Sequence, residues 1–327
     1  MRKILTLYFF FLCIFPLFAQ EGKSTFDFLQ LPNSVRATAL GGINISIIEN
    51  DLSLINQNPA FLGNEMNLSL SANYLSYIAD IGIGNIVFGK ALGEKSAWGI
   101  GFTYSNYGKM LETTNEPVII GDLKAADICG NLFFSRDLSE KIRGGVAVKF
   151  IYSDYAYNTS IGLGVDLGLS YYNPNNNLSL GLTGKNLGRQ IKAYETELAA
   201  LPWEIQFGLS QKLTHAPVRY SITAVHLNRW QFYNLQGEKN SFTTNLLKHF
   251  VFGVDLLLSE NFWIGVGYNV KRSADLHLSD GNKFTGFSVG AGLKVKAFSF
   301  GCSVGQYHPS ATSLMFNVST SLVEMKL

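Results

Sequence analysis

From Asn67 onward, apolar residues recur at every second position, in runs of about ten separated by turn-forming residues. Successive side chains of a strand point to opposite faces, so each run has one apolar face and one small or polar face. Leu68, Leu70, Ala72 and Tyr74 share a face on the first run. On the third, Trp98, Ile100, Phe102 and Tyr104 oppose Gly99, Gly101, Thr103 and Ser105. Ile142, Val146, Val148, Phe150 and Tyr152 share a face on the fifth; on the sixth, Ile161, Leu163, Val165, Leu167, Leu169 and Tyr171 oppose Gly162, Gly164, Asp166, Gly168 and Ser170. Later runs repeat the pattern: Phe250 to Leu258, Phe262 to Val270, Phe287 to Val295, and Leu314, Phe316, Val318 and Leu322. This segmentation gives about fourteen strands, an even number as bacterial single-chain barrels have. The predicted fold is all-β, a transmembrane antiparallel β-barrel closed around an N-terminal plug.

The links support the segmentation. Gly93–Ser96, Leu138–Glu140, Asn173–Asn177, Thr214–Pro217, Ser259–Asn261 and Lys296-Ala297 are brief. Between them fall longer links: Gly108–Leu123, Gly188–Pro202, Asn228–Lys248 and Arg272–Lys283. Short turns on the periplasmic rim and longer loops outside are the outer-membrane arrangement. Ala79-Asp80 and Asp154–Asn158 break it, being short yet on the outer rim.

The one long mature stretch that does not read as hairpins is Ser34–Leu62. Ile43, Ile45 and Ile47 alternate with Asn44 and Ser46, which predicts a short strand. Asn50 or Asp51 can cap a short helix, and Asn58-Pro59 ends it, because proline disfavours the α region for its predecessor. Gly41-Gly42 permits a reversal at positive φ. These features predict a compact plug over residues 20–66, with the barrel running from 67 to 327. Arg36 paired with Glu49 or Asp51 is the expected ionic contact, since a buried arginine needs a partner; exposure at the periplasmic mouth is the alternative.

Residues 1–19 are expected to be a signal peptide: Arg2 and Lys3 precede an apolar run from Ile4 to Phe18, with Ala19 at the cleavage position. The chain is therefore expected in the outer membrane of a Gram-negative bacterium, in contact with its lipid. Only 15% of residues are charged, 13% are aromatic and 32 are glycine, where soluble domains average about 25% charged. The net charge of +2 implies no nucleic-acid surface. Two mature cysteines make no disulfide framework; by parity Cys302 faces lipid and Cys129 the lumen, and both are expected to be free.

No catalytic constellation emerges, and no enzymatic activity is expected. His215, His226, His249, His277 and His308 are dispersed without a metal-ligand spacing, so no metal or cofactor is predicted. Gly89–Ser96 is one residue short of a phosphate-binding loop and follows a strand into a turn. Asp166 and Asp255 have inward parity and are read as lumen-lining residues. Trp98, Trp203 and Trp263 read mostly as interfacial girdle residues.

The motifs in order carry a resemblance. Phe26-Asp27-Phe28-Leu29, Arg36, Ala39-Leu40-Gly41-Gly42, Asp51 and Asn58-Pro59-Ala60 resemble the N-terminal signature of PorV/PorQ-type outer-membrane proteins. Tyr107-Gly108-Lys109, Tyr171-Tyr172-Asn173-Pro174, Lys185-Asn186-Leu187-Gly188, His215-Ala216-Pro217 and Asn228-Arg229-Trp230 resemble the PorQ branch. The end, Met325-Lys326-Leu327, departs from the aromatic terminus of many barrels. The resemblance implies a fourteen-stranded barrel similar to long-chain fatty-acid transporters, with an N-terminal hatch. It implies membership of the type IX secretion system, anchoring a cell-surface attachment complex. The partners implied are a PorZ-like surface protein, a PorU-like sortase and a PorV-like barrel, with lipopolysaccharide a further candidate. Arg36, Gly41, Gly42, Asp51, Asn58 and Pro59 are then plug residues, and Arg229 and Trp230 candidate partner contacts. The alternative function is transport of hydrophobic solutes such as long-chain fatty acids.

Overall fold

The computed structural model describes residues 24–113, 119–233, 239–276, 284–308 and 311–325. The expected signal peptide, His277 and the terminal Lys326-Leu327 lie outside the described residues. The ring begins with β1 (Ser69–Ser76), β2 (Gly82–Leu92) and β3 (Ser96–Asn106), and the hairpin β4 (Met110–Thr113) and β5 (Ile119–Leu123) stands apart from it. It continues through β6 (Ala125–Asp137), β7 (Ile142–Tyr155), β8 (Asn158–Asn173), β9 (Leu178–Lys192) and β10 (Glu204–Lys212). It ends with β11 (Val218–Ala224), β12 (Phe250–Ser259), β13 (Phe262–Asn269), β14 (Phe287–Val295), β15 (Phe298–His308) and β16 (Ala311–Ser321). Each ring strand pairs with the next, β3 with β6, and β16 returns to β1 in register from Ser69↔Ser321 to Ser76↔Leu314. The closed antiparallel barrel thus has the fourteen strands predicted and no open edge.

Along each strand burial alternates. Tyr74, Ile86, Phe102, Leu132, Phe150, Leu167, Phe252, Val266, Val289, Phe300 and Phe316 are exposed on the outside. Asn73, Asn85, Thr103, Asn131, Asp166, Ser210, Arg219, Asp255 and Ser288 are buried on the inside. An apolar belt around a closed ring is a surface that lipid can cover, because the ladder leaves no strand edge unpaired in hydrocarbon. Cys302 lies on the outside and Cys129 on the inside, both unpaired.

One rim carries links 93–95, 138–141, 174–177, 213–217, 260–261 and 296–297; the other carries 77–81, 156–157, 193–203 and the described parts of the longer links, 107–113, 119–124, 225–233, 239–249, 270–276 and 284–286. The short links on the long-loop rim have a local cause. Ala79 and Asp80 take φ 47° and 61°, and Ala156 takes φ 55°. The consecutive positive φ values of Ala79 and Asp80 match the twist of a tight hairpin.

Residues 34–66 lie against the inner face. α1 (Val35–Ala39) packs on β13 to β16, the 3₁₀ turn Leu52–Asn56 on β1 and β2, and the turn Pro59–Phe61 on β6 to β8. Ser46 Oγ sits 2.6 Å from Ser210 Oγ of β10. Ser34 caps α1, Asp51 caps the first 3₁₀ turn and Asn58 the second, each accepting from a free backbone N–H. Gly41 and Gly42 reverse the chain at φ 97° and 95°. The predicted strand over Ile43–Ile47 is absent. Asn44 Oδ1 accepts from Ser46 N at 3.2 Å and Ile47 N at 3.0 Å, bending the chain. Asn44, Ile45, Ser46 and Ile47 are all buried, so the alternation does not mark a strand with one wet face. Val270, counted with the strand before it, instead begins α3 (Val270–Asp275), capped by Asn269; α2 (Phe242–Lys248) lies in the preceding long link.

Close approach of segment and wall depends on inward glycines. A Cβ at Gly181 would collide with the Ile45 carbonyl, and one at Gly267 with the backbone of Leu40 and Gly41. Gly181→Val is expected to expel the segment locally, exposing it to protease in intact outer membrane. Gly130→Val, whose Cβ would meet nothing within 4 Å, should leave the digestion pattern unchanged.

Candidate functional site

The most charged contact between segment and wall joins four side chains. Arg36 on α1 lies 3.6 Å from Glu49 Oε2 and 3.7 Å from Asp255 Oδ1. Arg219 on β11 donates to Glu49 Oε1 at 2.5 Å and to Asp255 Oδ2 at 2.8 and 3.0 Å. Arg219 and Asp255 face each other directly across the β11–β12 ladder. Arg36 also lies over the Trp263 ring, 4.5 Å from its centroid. The segment thus contributes one cation and one anion, and the wall one of each. Arg36, Arg219 and Asp255 are buried and Glu49 is partly exposed; removing the buried charges from water is costly, and mutual pairing offsets it.

Of the two partners expected for Arg36, Glu49 forms the ion pair, whereas Asp51 turns to Ser53, accepting from its N at 3.0 Å and its Oγ at 2.7 Å. Burial alone would raise the Glu49 carboxyl; the Arg36 and Arg219 guanidinium groups outweigh it and hold Glu49 below the usual carboxylate range. Burial pushes the Asp51 carboxyl up despite the Ser53 hydrogen bonds. Trp263 is an inward partner of Arg36, not a girdle residue, because it has the opposite parity to Ile264 and Val266. Arg219 has the same inward parity as Ser221 and Thr223 and could have been found by that rule.

Asn58 Nδ2 donates to the carbonyls of Ile45 at 3.1 Å and Leu169 at 3.2 Å, tying Pro59 against Gly145 and Gly168. Gly41 O accepts from Arg272 Nη2 on α3 at 3.0 Å and Asn269 Nδ2 at 3.3 Å. α3 in turn holds α2 through Asp275, which lies 2.9 Å from Lys248 and 2.6 Å from Lys271. Burial would raise the Asp275 carboxyl, but these two ammonium groups keep it lowered.

Arg229 and Trp230 do not join the segment. Both are exposed on the long-loop rim. Trp230 stacks on buried His249 at 4.9 Å and approaches Phe242 at 6.3 Å, and its carbonyl accepts from Asn245 Nδ2 at 2.7 Å. The described ends of this loop therefore meet in an aromatic cluster at its base. A continuous set of contacts runs from Trp230 through α2, Asp275 and Arg272 to Gly41.

No family model matches the chain, and no curated protein matches it. Among solved structures it is similar to the Ralstonia pickettii toluene transporter TbuX, at 13% identity over 89% of this chain and 98% of that one, with a TM-score of 0.54. It is similar to the Pseudomonas putida toluene transporter TodX, at 13% identity over 88% and 97%, with a TM-score of 0.56. A Pseudomonas aeruginosa FadL homologue matches at 11% identity over 88% and 97%, with a TM-score of 0.52. The shared property is the fold, a closed antiparallel barrel.

Arg219→Met leaves Asp255 and Glu49 short of their cation, a loss of about 3–5 kcal/mol for a broken buried pair. The heat-modified gel transition should fall in temperature, and Asp255→Asn added to it should recover part of the loss. The Glu49 contribution, with its carboxyl lowered in the fold, is present above the unfolded pKa and lost as pH falls through the folded one. Acid should therefore lower the wild-type transition more than that of Glu49→Gln.

Proposed function

We propose that this protein is an outer-membrane barrel of a Gram-negative bacterium that passes a small hydrophobic solute, with residues 34–62 as its displaceable plug. The likeness to TbuX and TodX, over nearly the full length of each, carries this reading. The contacts from Trp230 to Gly41 supply a route of control: a solute or partner engaging the long loop would pull on α3 and loosen Arg272 from the segment. The Arg36, Glu49, Arg219 and Asp255 group is then the latch that holds the plug at rest, strong enough to seal yet reversible because both halves are ionic.

A second reading is favoured by specific features. The inner face is polar, and the exposed aromatic cluster around Trp230 and Phe242 suits a protein partner. With the ordered PorQ-like motifs, these support a non-enzymatic anchor of the type IX secretion attachment complex, holding a PorZ-like surface protein near PorU-like and PorV-like partners and lipopolysaccharide. Arg229 and Trp230 would be its contacts.

Two measurements on one preparation separate the readings. Organic extraction of the detergent-purified chain should release bound hydrophobic solute, and deletion of residues 34–62 should raise single-channel conductance severalfold. An extract free of solute, together with stoichiometric co-purification of a surface protein lost in Trp230→Ala, would replace transport with anchoring.

A further inference from the structure

Strand β9 changes the direction of its side chains near its outer end. Across the β8–β9 ladder Leu163 faces Arg189, Gly162 faces Gln190 and Ile161 faces Lys192. Ile191 has no residue opposite it, which makes a bulge, and a bulge re-aims the side chains beside it. Arg189 and Lys192 are three positions apart, so unbroken alternation would send one of them into the barrel. The bulge turns both outward: Arg189, Ile191 and Lys192 are exposed, as are Leu163 and Ile161, while Gln190 is buried.

These two cations stand at the outer edge of the apolar belt. Ile161 and Tyr171 bound the outward apolar face of β8 and are ten residues apart. At about 3.3 Å per residue and a tilt of about 40°, that distance is about 25 Å, the height of the apolar band of a membrane barrel. Lys192 is level with Ile161 and with Tyr152 of β7, an exposed tyrosine of the kind found at membrane interfaces. Arg189 is one layer deeper, level with exposed Leu163 and Phe150. Lys192 Nζ donates to a neutral group, Thr159 Oγ1, at 2.5 Å. Asp154, opposite Thr159, and Glu195 and Glu197, in the link after β9, are the exposed acids of this rim, and among the described residues no carboxylate forms an ion pair with Arg189 or Lys192. A cation on a lipid-facing surface is unfavourable unless it reaches water or an anion. The other exposed cations of the ring strands, Lys90, Arg136 and Lys212, lie beside the short links on the opposite rim.

We propose that Arg189 and Lys192 form a site for the phosphate-bearing headgroup of an anionic outer-leaflet lipid, whose acyl chains lie along Ile161, Leu163 and Phe150. Two features select a lipid over a free ion. The pair is continuous with the apolar belt, and Arg189 sits inside the edge of that belt, where an anion arrives with hydrocarbon of its own. The Arg189 guanidinium offers paired donors to phosphate oxygens, and the Lys192 ammonium turns on its flexible stem from Thr159 to the same group. The bulge at Ile191 is the device that brings the two charges to one face. The site lies on the outside of the wall, away from the plug, so it is compatible with transport and with anchoring alike.

Native mass spectrometry of the detergent-purified full chain tests this, with bisphosphorylated lipid A, the same lipid stripped of its phosphates, and inorganic phosphate as probes. Wild type should retain the phosphorylated lipid, and the double variant Arg189→Gln, Lys192→Gln should bind it about tenfold more weakly. Arg136→Gln, on the opposite rim, should match wild type. Undiminished binding by the double variant, an equal loss in Arg136→Gln, equal binding of the dephosphorylated lipid, or displacement of the lipid by inorganic phosphate would each overturn the assignment. Heat-modified gel mobility of the same samples reads the fold of the barrel separately, and none of these results bears on whether the barrel transports.

Discussion

The pairing of β16 with β1 is the constraint from which the rest of the molecule follows. Once the ring closes, each strand has two neighbours and one inner face, and that face cannot be covered by lipid. The inner residues are serine, asparagine, threonine and paired charges, which need hydrogen-bonding partners more than apolar contact. Residues 34–66 meet that need. They offer carbonyls, caps and hydroxyls to the wall, and bury Leu40, Ile45, Leu54, Ile55 and Leu62 in contacts made largely with themselves and with small inward residues.

Ionic pairs give this packing its register. A segment held by apolar contact alone could slide or rotate, whereas Arg36 and Glu49 meet Arg219 and Asp255 through directed ion pairs. Buried polar groups of this kind add little net stability, but fixing register is the best-attested use of them. Gly41 is gripped from the outside by Arg272, while Asn58 is gripped midway by the Leu169 and Ile45 carbonyls. The segment is thus held by separate elements of the wall and by α3.

Much of the wall was legible in the sequence because period-two alternation follows directly from a barrel with lipid on one side. The inward parity of Asp166, Asp255 and Cys129 came from the same rule, and the Arg36–Glu49 pair from the need to neutralise a buried cation. Other parts were hidden for identifiable reasons. Ile43–Ile47 looks like a strand because alternation cannot distinguish a wet face from a second buried one. The hairpin of β4 and β5 is too short to show periodicity. Arg272 reaches Gly41 through loop geometry, which local pattern does not encode, and the bulge at Asn186, opposite Asp166, breaks the alternation that parity arguments assume.

The seating of the segment against the wall is most directly measured by a disulfide between Ser46→Cys and Ser210→Cys, whose native hydroxyl oxygens lie 2.6 Å apart. In outer membranes treated with a mild oxidant, the pair should cross-link nearly completely, shifting gel mobility in a reductant-sensitive way, while neither single variant does. If both cysteines instead remained free and were alkylated by a membrane-impermeant reagent, residues 34–66 would not rest on the inner face, and the account would be contradicted.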